Sequence, residues 1–129
     1  MNIRPATYED IPRIRENADK VFRHTYAEIL TPAQMDYMID WMYSEESLRH
    51  QIGTPGKAFF LAEEGDDFGG YASVEVQGRK DDGTQIYHLQ KIYVMPRFQG
   101  TGLGKMLFEH VMDYLVTLGG KPFRVELNV

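Results

Sequence analysis

Three glycines at alternate positions separate a strand-like segment from a helical one, and this junction restricts the fold more than any other feature of the chain. They are Gly100, Gly102 and Gly104. The segment QIYHLQKIYV before them is rich in β-branched and aromatic residues, which favour strands. The segment after them repeats apolar residues at helical spacing. Because a helix N-terminus that follows a glycine turn is suited to bind phosphate, the junction predicts a phosphate site.

The register of the glycines excludes two familiar phosphate motifs. A P-loop has the pattern G-x-x-x-x-G-K-[ST], but Gln99 and Met106 occupy its first and last positions. A dinucleotide fingerprint has the pattern G-x-G-x-x-G, but Lys105 occupies its last position. On these residues alone, a turn without a ligand and a turn for another phosphate ligand both remain open.

The chain as a whole predicts one α/β (α+β) domain over residues 1–129. The segment NIRPA predicts a first strand, and helical patterns follow it up to the glycine-containing stretch GTPG. The pattern then changes to three strands joined by tight turns, KAFFLAEE, GGYASVEVQG and QIYHLQKIYV. The helix after the glycines and a last strand, FRVELNV, complete the order. This order indicates a largely antiparallel sheet with one crossover, between the fourth and fifth strands.

Polar residues at the predicted helix starts match capping patterns. Thr7 and Asp10 have the spacing of a capping box, and Asp10 is itself an alternative N-cap. Thr31 has the same relation to Gln34, with a proline at the first helical position. Ser44 is predicted to cap a short third helix. These residues predict where the first three helices begin.

The last helix and the last strand are each predicted to have one apolar face. We expect Gly119 and Gly120 to end the helix. Since an apolar edge strand is unfavourable at the end of a domain, we expect further protein after it, in another chain or in a longer parent. The residues predicted to lie on these faces are Leu103, Met106, Leu107, His110, Val111, Tyr114, Leu115 and Leu118 in the helix and Phe123, Val125, Leu127 and Val129 in the strand.

Composition narrows the function classes. The net charge of −5 and the lack of a basic cluster argue against a nucleic-acid partner. No apolar stretch approaches the ~18 residues of a membrane span, and the N-terminus lacks the apolar core of a signal peptide. The absence of cysteine excludes disulfides and thiolate chemistry, and the four histidines lack metal-ligand spacing. We therefore expect a cytoplasmic protein with no metal, nucleic-acid or membrane partner.

The stretch KIYVMPRFQGTGLGKML fits the pattern [QR]-x-x-G-x-[GA], with Gln99, Gly102 and Gly104 at the defined positions. It resembles motif A of the GNAT-type N-acetyltransferase superfamily, and the segments IRPATYEDIPRI and VELNV are similar to other parts of that family. The resemblance implies a mostly antiparallel sheet, splayed between strands 4 and 5, with helices on both faces. It also implies an N-terminal part over residues 1–56, a CoA-binding core over 57–129, and a missing fourth helix and last two strands.

The same resemblance implies an acetyl-CoA-dependent N-acetyltransferase. The acetyl group would move to a primary amine of a small molecule or peptide by direct attack in a ternary complex, with acetyl-CoA as the acyl-donor cosubstrate. A non-catalytic acyl-CoA-binding or regulatory domain on the same fold is the main alternative. A homodimer, in which strand or helix exchange completes the sheet, is an open alternative to a monomer.

The resemblance also assigns cofactor-binding residues. The backbone amides of the glycine turn are expected to bind the pyrophosphate at the helix N-terminus, and the backbone of the fourth strand is expected to bond the pantetheine arm. Asn128 matches a family asparagine that touches the CoA arm. The predicted residues of the turn are Gln99, Gly100, Thr101, Gly102, Leu103, Gly104 and Lys105, and those of the strand are Ile92, Tyr93 and Val94.

The catalytic residues are less constrained than the cofactor site. Histone-type members carry a glutamate eleven positions before the first motif residue, and His88 occupies that position here. A histidine, with an ordinary pKa of about 6.5, is suited to accept an amine proton. Glu75 and Glu126 are the alternatives, and a structural role in the strand is open for all three. Tyr93 is a candidate general acid, while the usual family tyrosine is expected beyond Val129.

The helices before the second strand are expected to form one wall of the acceptor site. Glu28, Asp36 and Asp40 are candidates to attract a cationic amine, or else form the solvated faces of amphipathic helices. Aromatic residues at helical spacing in the same region are compatible with either a core or a recognition role.

Overall fold

The structure is a computed structural model of the 129-residue chain, and it describes residues 1–118 and 123–127. Two short 3-10 helices, Tyr8–Asp10 and Pro96–Phe98, precede α1 and the glycine turn. The element order confirms the predicted succession. The elements are β1 (Asn2–Pro5), α1 (Ile11–Tyr26), α2 (Pro32–Tyr43), α3 (Glu45–Gly53), β2 (Lys57–Glu64), β3 (Asp67–Arg79), β4 (Gln85–Val94), α4 (Leu103–Thr117) and β5 (Phe123–Leu127).

The strands form one five-stranded sheet in the order β1-β2-β3-β4-β5. Neighbouring strands are antiparallel except β4 and β5, which are parallel, so the predicted meander and single crossover are confirmed. The β4–β5 ladder pairs Gln85–Leu89 with Phe123–Leu127. Within the described residues, the second half of β4, from Gln90 to Val94, therefore has no strand beside it on that edge.

Helices cover both faces of the sheet, as expected. On one face, α1, α2 and α3 pack over Phe59, Leu61 and Tyr71. On the other face, α4 packs over Phe60, Val74 and other residues of the central strands. Successive strand residues contribute to opposite faces because side chains alternate across a sheet. The two cores place the start of α4 beside the end of β4.

A bulge in β4 breaks this alternation at the point that matters most for the site. Ser73 pairs with Lys91 whereas Val74 pairs with Leu89, so β4 has one extra residue, Gln90, between these pairs. Gln90 bonds to Glu75 of β3, and Lys91 bonds to Gln51 of α3. Two consecutive side chains of β4 thus reach the face that α1–α3 cover.

The predicted helix starts agree with the structure. Thr31 Oγ1 accepts the Gln34 N–H at 3.2 Å, and Gln34 Oε1 accepts the Thr31 N–H at 2.8 Å, which completes a capping box. Ser44 Oγ accepts the Ser47 N–H at 3.2 Å at the start of α3. Asp10 accepts the Thr7 N–H at 2.7 Å, so it caps the 3-10 turn that leads into α1.

The predicted apolar faces of the last two elements were too wide. Leu103, Leu107, Val111 and Leu115 form the buried stripe of α4, at a spacing of four residues. The side chains of Met106 and Leu118 are exposed at 44% and 48%, and Leu127 of β5 is exposed at 56%. Met112 and Tyr114 of α4 are partly buried against the same core. Gly119, Gly120 and Val129 lie outside the described residues.

None of the described helices is long and apolar enough to cross a membrane.

Candidate functional site

The glycine turn adopts a backbone that side chains disfavour. Gly100 and Gly102 have φ values of +80° and +87°, in the left-handed region where glycine is favoured. Gly102 is the N-cap of α4. A Cβ built on either glycine meets nothing within 4 Å, so the space outside the turn is open. Since the first N–H groups of a helix have no intrahelical partners, the turn presents backbone donors to that open space.

Local contacts fix the turn against the end of β4. Gln99 Nε2 donates to the Val94 carbonyl at 3.1 Å, and the Thr101 N–H donates to the Phe98 carbonyl at 3.3 Å. Leu103 anchors the helix start in the core below. Lys105 is different, because its side chain is 81% exposed and lies 3.9 Å from Glu109, one turn along α4. The turn is therefore held by Gln99 and Leu103, and Lys105 is in solvent.

The edge of β4 next to this turn carries an amide that points away from the sheet. The Met95 N–H donates to the Gly69 carbonyl at 2.8 Å, on the β3 side. Because alternate residues of a strand direct their amides to opposite sides, the Val94 N–H points to the other edge. Ile92 lies two residues earlier on that same edge. These two amides face the region beside β4 that no described strand occupies.

A cavity of ≈ 810 Å³ lies between the α1–α3 layer and this half of β4. It extends past the β4 edge to Phe108 of α4 and Leu127 of β5. Its floor is the segment from Leu89 to Tyr93, and its α-helical wall is mostly apolar. The lining residues on α1, α2 and the turn between them are Phe22, Tyr26, Ile29, Leu30, Met38, Trp41 and Met42, and α3 adds the polar residues Ser47, His50 and Gln51. The size is typical of a site for a small organic ligand.

A polar cluster lies behind the cavity floor. Glu75 of β3 accepts hydrogen bonds from Lys57 Nζ and Gln90 Nε2, both at 2.7 Å. Its other neighbour is His88, whose Nδ1 lies 3.8 Å from Glu75 Oε1. Lys57 and Gln90 line the cavity, so Glu75, which accepts from both, lies one side chain away from it, and His88 lies next to Glu75. The predicted candidate bases His88 and Glu75 are thus neighbours on paired strands.

Lys91 is an unusual feature of the cavity floor. Its Nζ donates to Gln51 Oε1 at 2.7 Å and lies 5.7 Å from the centre of the Tyr43 ring. Burial and the nearby charge of Lys57 lower the pKa of Lys91 to about 8, while Glu75 opposes that shift. Desolvation penalises the charged form of a buried amine, which explains the direction.

Tyrosines occupy the space between the sheet and the helices. The Tyr93 hydroxyl lies 3.2 Å from that of Tyr26, and the hydroxyls of Tyr43 and Tyr71 are 2.7 Å apart. Burial raises the pKa of Tyr93 well above its ordinary value, and the same holds for Tyr43 and Tyr71. Tyr93, predicted as a candidate acid, is therefore protonated at neutral pH and directed towards α1.

The remaining predicted residues are more peripheral. Glu126 of β5 is in register with His88, but its side chain is half exposed and lies 3.6 Å from Arg124. Asp36 is on the solvated face of α2, where it pairs with Arg23. Asn128 lies outside the described residues. The sequence did not predict a role in the site for Lys57, Gln90, Lys91 or Gln51. The one signal for this part of the strand was the lysine in QIYHLQKIYV, next to the apolar residues IYV.

A match to a protein-family model identifies the family of the chain. Residues 16–129 match the model of the acetyltransferase (GNAT) family. The chain belongs to the GNAT family. This assignment agrees with the mixed sheet, the helices on both faces and the glycine turn at the start of α4.

Relatives of this GNAT protein include two bacterial sequences. An uncharacterized N-acetyltransferase, YjgM of Escherichia coli K12, is 31% identical over 125 residues, which are 96% of this chain and 70% of YjgM. An uncharacterized N-acetyltransferase in the pepI 3′ region of Lactobacillus delbrueckii subsp. lactis is 26% identical over 103 residues, which are 78% of this chain. The chain spans 60% of the length of that Lactobacillus relative.

Solved structures share the fold. PaiA N-acetyltransferase of Thermoplasma acidophilum, in complex with coenzyme A, has a TM-score of 0.77 at 21% identity, covering 90% of this chain and 72% of its own. An acetyltransferase of Vibrio fischeri has a TM-score of 0.73 at 16% identity, covering 98% of this chain and 96% of its own. At these identities the likeness concerns the fold.

Proposed function

We propose that this chain is an acetyl-CoA-dependent N-acetyltransferase that acts on a primary amine of a small molecule or peptide by direct attack in a ternary complex. The observation that supports this most is the position of the glycine turn. It begins α4 directly beside the edge of β4 that borders the cavity. Membership of the GNAT family and the likeness to an N-acetyltransferase solved with coenzyme A agree with an acyl-CoA donor.

The chain offers a binding group for each part of the donor. Bound acetyl-CoA supplies the activated acetyl thioester. The backbone amides of residues 99–105 bind its pyrophosphate, since Gly100 and Gly102 leave the turn open to close approach. The Ile92 backbone bonds the pantetheine arm, and the Val94 N–H donates to the thioester carbonyl, where negative charge develops. Asn128 stays a predicted contact of the CoA arm.

The transfer requires two proton movements. The amine nitrogen forms a bond to the acetyl carbon, the carbon–sulfur bond breaks, one amine proton goes to a base and the released thiolate gains a proton. Glu75 and His88 lie behind the cavity floor, so we assign them the base role through an intervening water. Tyr93 stays the predicted candidate donor to the thiolate, but the burial that raises the pKa of its phenol makes it a weaker acid, and its hydroxyl is paired with that of Tyr26.

Calorimetric titration with acetyl-CoA, ATP and NAD tests the ligand. We expect acetyl-CoA to bind at least about tenfold more tightly than the other two, because only its pantetheine arm can bond the β4 edge. No heat with acetyl-CoA, or equal affinity for ATP, would mean that the turn serves another phosphate ligand or none.

Substitution of His88 tests the base. His88→Ala should lower turnover at neutral pH by roughly 10²-fold or more, and Glu75→Gln should have an effect of similar size if the two act as a pair. His24→Ala, which changes an exposed histidine of α1, is the matched control. If turnover of His88→Ala equals that of the control, His88 has only a structural role in β4.

A further inference from the structure

The charged residues of the cavity have one sign. Of the described residues that line it, two are lysines, Lys57 and Lys91, one is a histidine, His50, and none is aspartate or glutamate. Neither acidic residue of α2, Asp36 or Asp40, lines the cavity, and Asp36 pairs with Arg23 in solvent. A cavity of this kind repels a polycationic ligand and attracts an anionic group.

The two lysines differ in how their charges are balanced. Lys57 has a carboxylate partner, Glu75 Oε2, at 2.7 Å. Lys91 has a neutral one, Gln51 Oε1, at 2.7 Å, and among the described residues no carboxylate lies within ion-pair distance of its Nζ. The ammonium of Lys91 can donate three hydrogen bonds. It therefore has donor capacity for a ligand.

The neutral partner of Lys91 is held in place by the helices. Gln51 is 7% exposed, and its Nε2 donates to the Met42 carbonyl at 2.9 Å and to Ser47 Oγ at 3.0 Å. Ser47 Oγ in turn donates to the Met42 carbonyl at 3.0 Å. These bonds direct the Gln51 carbonyl oxygen towards Lys91. The α2–α3 junction thus fixes the position of the ammonium without neutralising it.

A buried ammonium without a carboxylate partner is costly. Burial and Lys57 depress the pKa of Lys91 in spite of the opposing charge of Glu75, which is the expected sign of that cost. A structural role would be fulfilled at lower cost by a neutral side chain. The arrangement is explained if a ligand brings the missing negative charge.

The rest of the cavity indicates what this anion is attached to. Its helical wall includes Phe22, Leu30, Met38 and Trp41, so the ligand presents apolar surface to α1 and α2. Trp41 is 70% exposed and lies where the cavity meets solvent. The acceptor nitrogen must lie near the β4 edge, on the same floor as Lys91.

We propose that the acceptor is an amine that also carries a carboxylate bound by Lys91 and an apolar side chain packed on the α1–α2 wall, as in a free hydrophobic amino acid. The proposal rests on the proposed acetyltransferase function and specifies its acceptor. The transfer itself is unchanged, with the carboxylate as a spectator.

Matched acceptors test the proposal through kcat/KM. Phenylalanine is compared with phenethylamine and phenylalaninamide, and leucine with isoamylamine. Since a hydrogen bond to a charged group contributes about 10- to 100-fold, we expect each amino acid to exceed its carboxylate-free partner by that factor. In Lys91→Met this ratio should fall towards one, whereas Lys20→Met, a change of an exposed lysine on α1, should keep it. An equal or reversed preference in the wild-type protein, or a ratio that Lys91→Met leaves intact, would overturn the proposal.

A binding measurement separates this proposal from the proposed function. N-acetylphenylalanine and N-acetylphenethylamine are titrated into the wild-type protein and into Lys91→Met, whose folding is checked by circular dichroism. We expect N-acetylphenylalanine to bind more tightly than N-acetylphenethylamine to the wild-type protein. In Lys91→Met we expect the two compounds to bind with similar affinity. If no amine is acetylated, the acetyltransferase function fails while this titration still tests Lys91. If amines without a carboxylate are acetylated best, the function stands and the acceptor proposal fails.

Discussion

Among single residues, Lys91 connects the site with the stability of the fold. Its ammonium faces Lys57 of β2, Glu75 of β3 and Tyr43 of α2, and His50 of α3 lines the same cavity. The pKa of Lys91 falls from 10.5 to about 8 in the folded chain. Between these values the unfolded chain holds the proton and the folded one does not, so the contribution of Lys91 to stability rises with pH.

Lys91→Met should therefore stabilise the protein more at pH 7 than at pH 10. A tenfold change in an ionisation constant corresponds to about 1.4 kcal/mol, so the pH-dependent part of the gain is on the order of 1–3 kcal/mol. Urea unfolding of the wild type and the variant at both pH values measures it. Lys20→Met, with an exposed side chain, should show no such dependence. If Lys91→Met and the wild type differ in free energy of unfolding by the same amount at pH 7 and pH 10, the burial of the Lys91 charge is contradicted.

Lys91 also marks a limit of prediction from sequence. The segment QIYHLQKIYV was correctly assigned as a strand, but regular alternation places Gln90 and Lys91 on opposite faces. The bulge puts both on the same face, and it depends on the pairing of β4 with β3, which local sequence does not encode. His88 and Glu75 were identified individually, while their adjacency follows from the same register.

Among the elements, the junction of β4 and α4 was the most predictable. The strand pattern, the glycines and the capping residues act through neighbours along the chain, so the predicted starts of α2, α3 and β4 agree with the structure. The buried face of α4 was harder to predict, because Met106 and Leu118 have helical spacing but are exposed in the structure. How much of an apolar stripe is buried depends on what covers it.

A pair of glycine substitutions tests the role of this junction. Gly102 and Gly83 have φ values of +87° and +88°, and a Cβ on either meets nothing within 4 Å. Alanine should strain both to a similar degree, by about 1–2 kcal/mol. Gly102→Ala should also weaken acetyl-CoA binding by about tenfold or more, since it disturbs amides that bind a charged group.

Gly83→Ala, in the β3–β4 turn, is the control for that experiment. It should lower stability without changing the affinity for acetyl-CoA in calorimetric titrations. Equal affinities of the two variants for acetyl-CoA would show that the glycine turn is not the pyrophosphate site.

At the scale of the whole molecule, the fold and the family were predictable because motif and element order agree. The acceptor was not predictable, because the cavity is assembled from residues of α1, α2, α3, β2, β4, α4 and β5, and no single segment contains it. Of the acidic residues that the sequence offered as attractors of a cationic amine, Asp36 pairs with Arg23 in solvent, and neither Glu28 nor Asp40 lines the cavity, whereas two lysines do. The homodimer and the cytoplasmic location stay predictions.

The central claim is that this chain transfers an acetyl group from acetyl-CoA to an amine. The most direct test is to follow free thiol with a thiol reagent in mixtures of protein, acetyl-CoA and individual amines. Because the chain has no cysteine, only released CoA reacts. We predict thiol release that depends on the amine, exceeds hydrolysis without amine, and matches the amount of N-acetylated product. Acetyl-CoA binding without any amine-dependent thiol release would contradict the claim and indicate a non-catalytic acyl-CoA-binding domain.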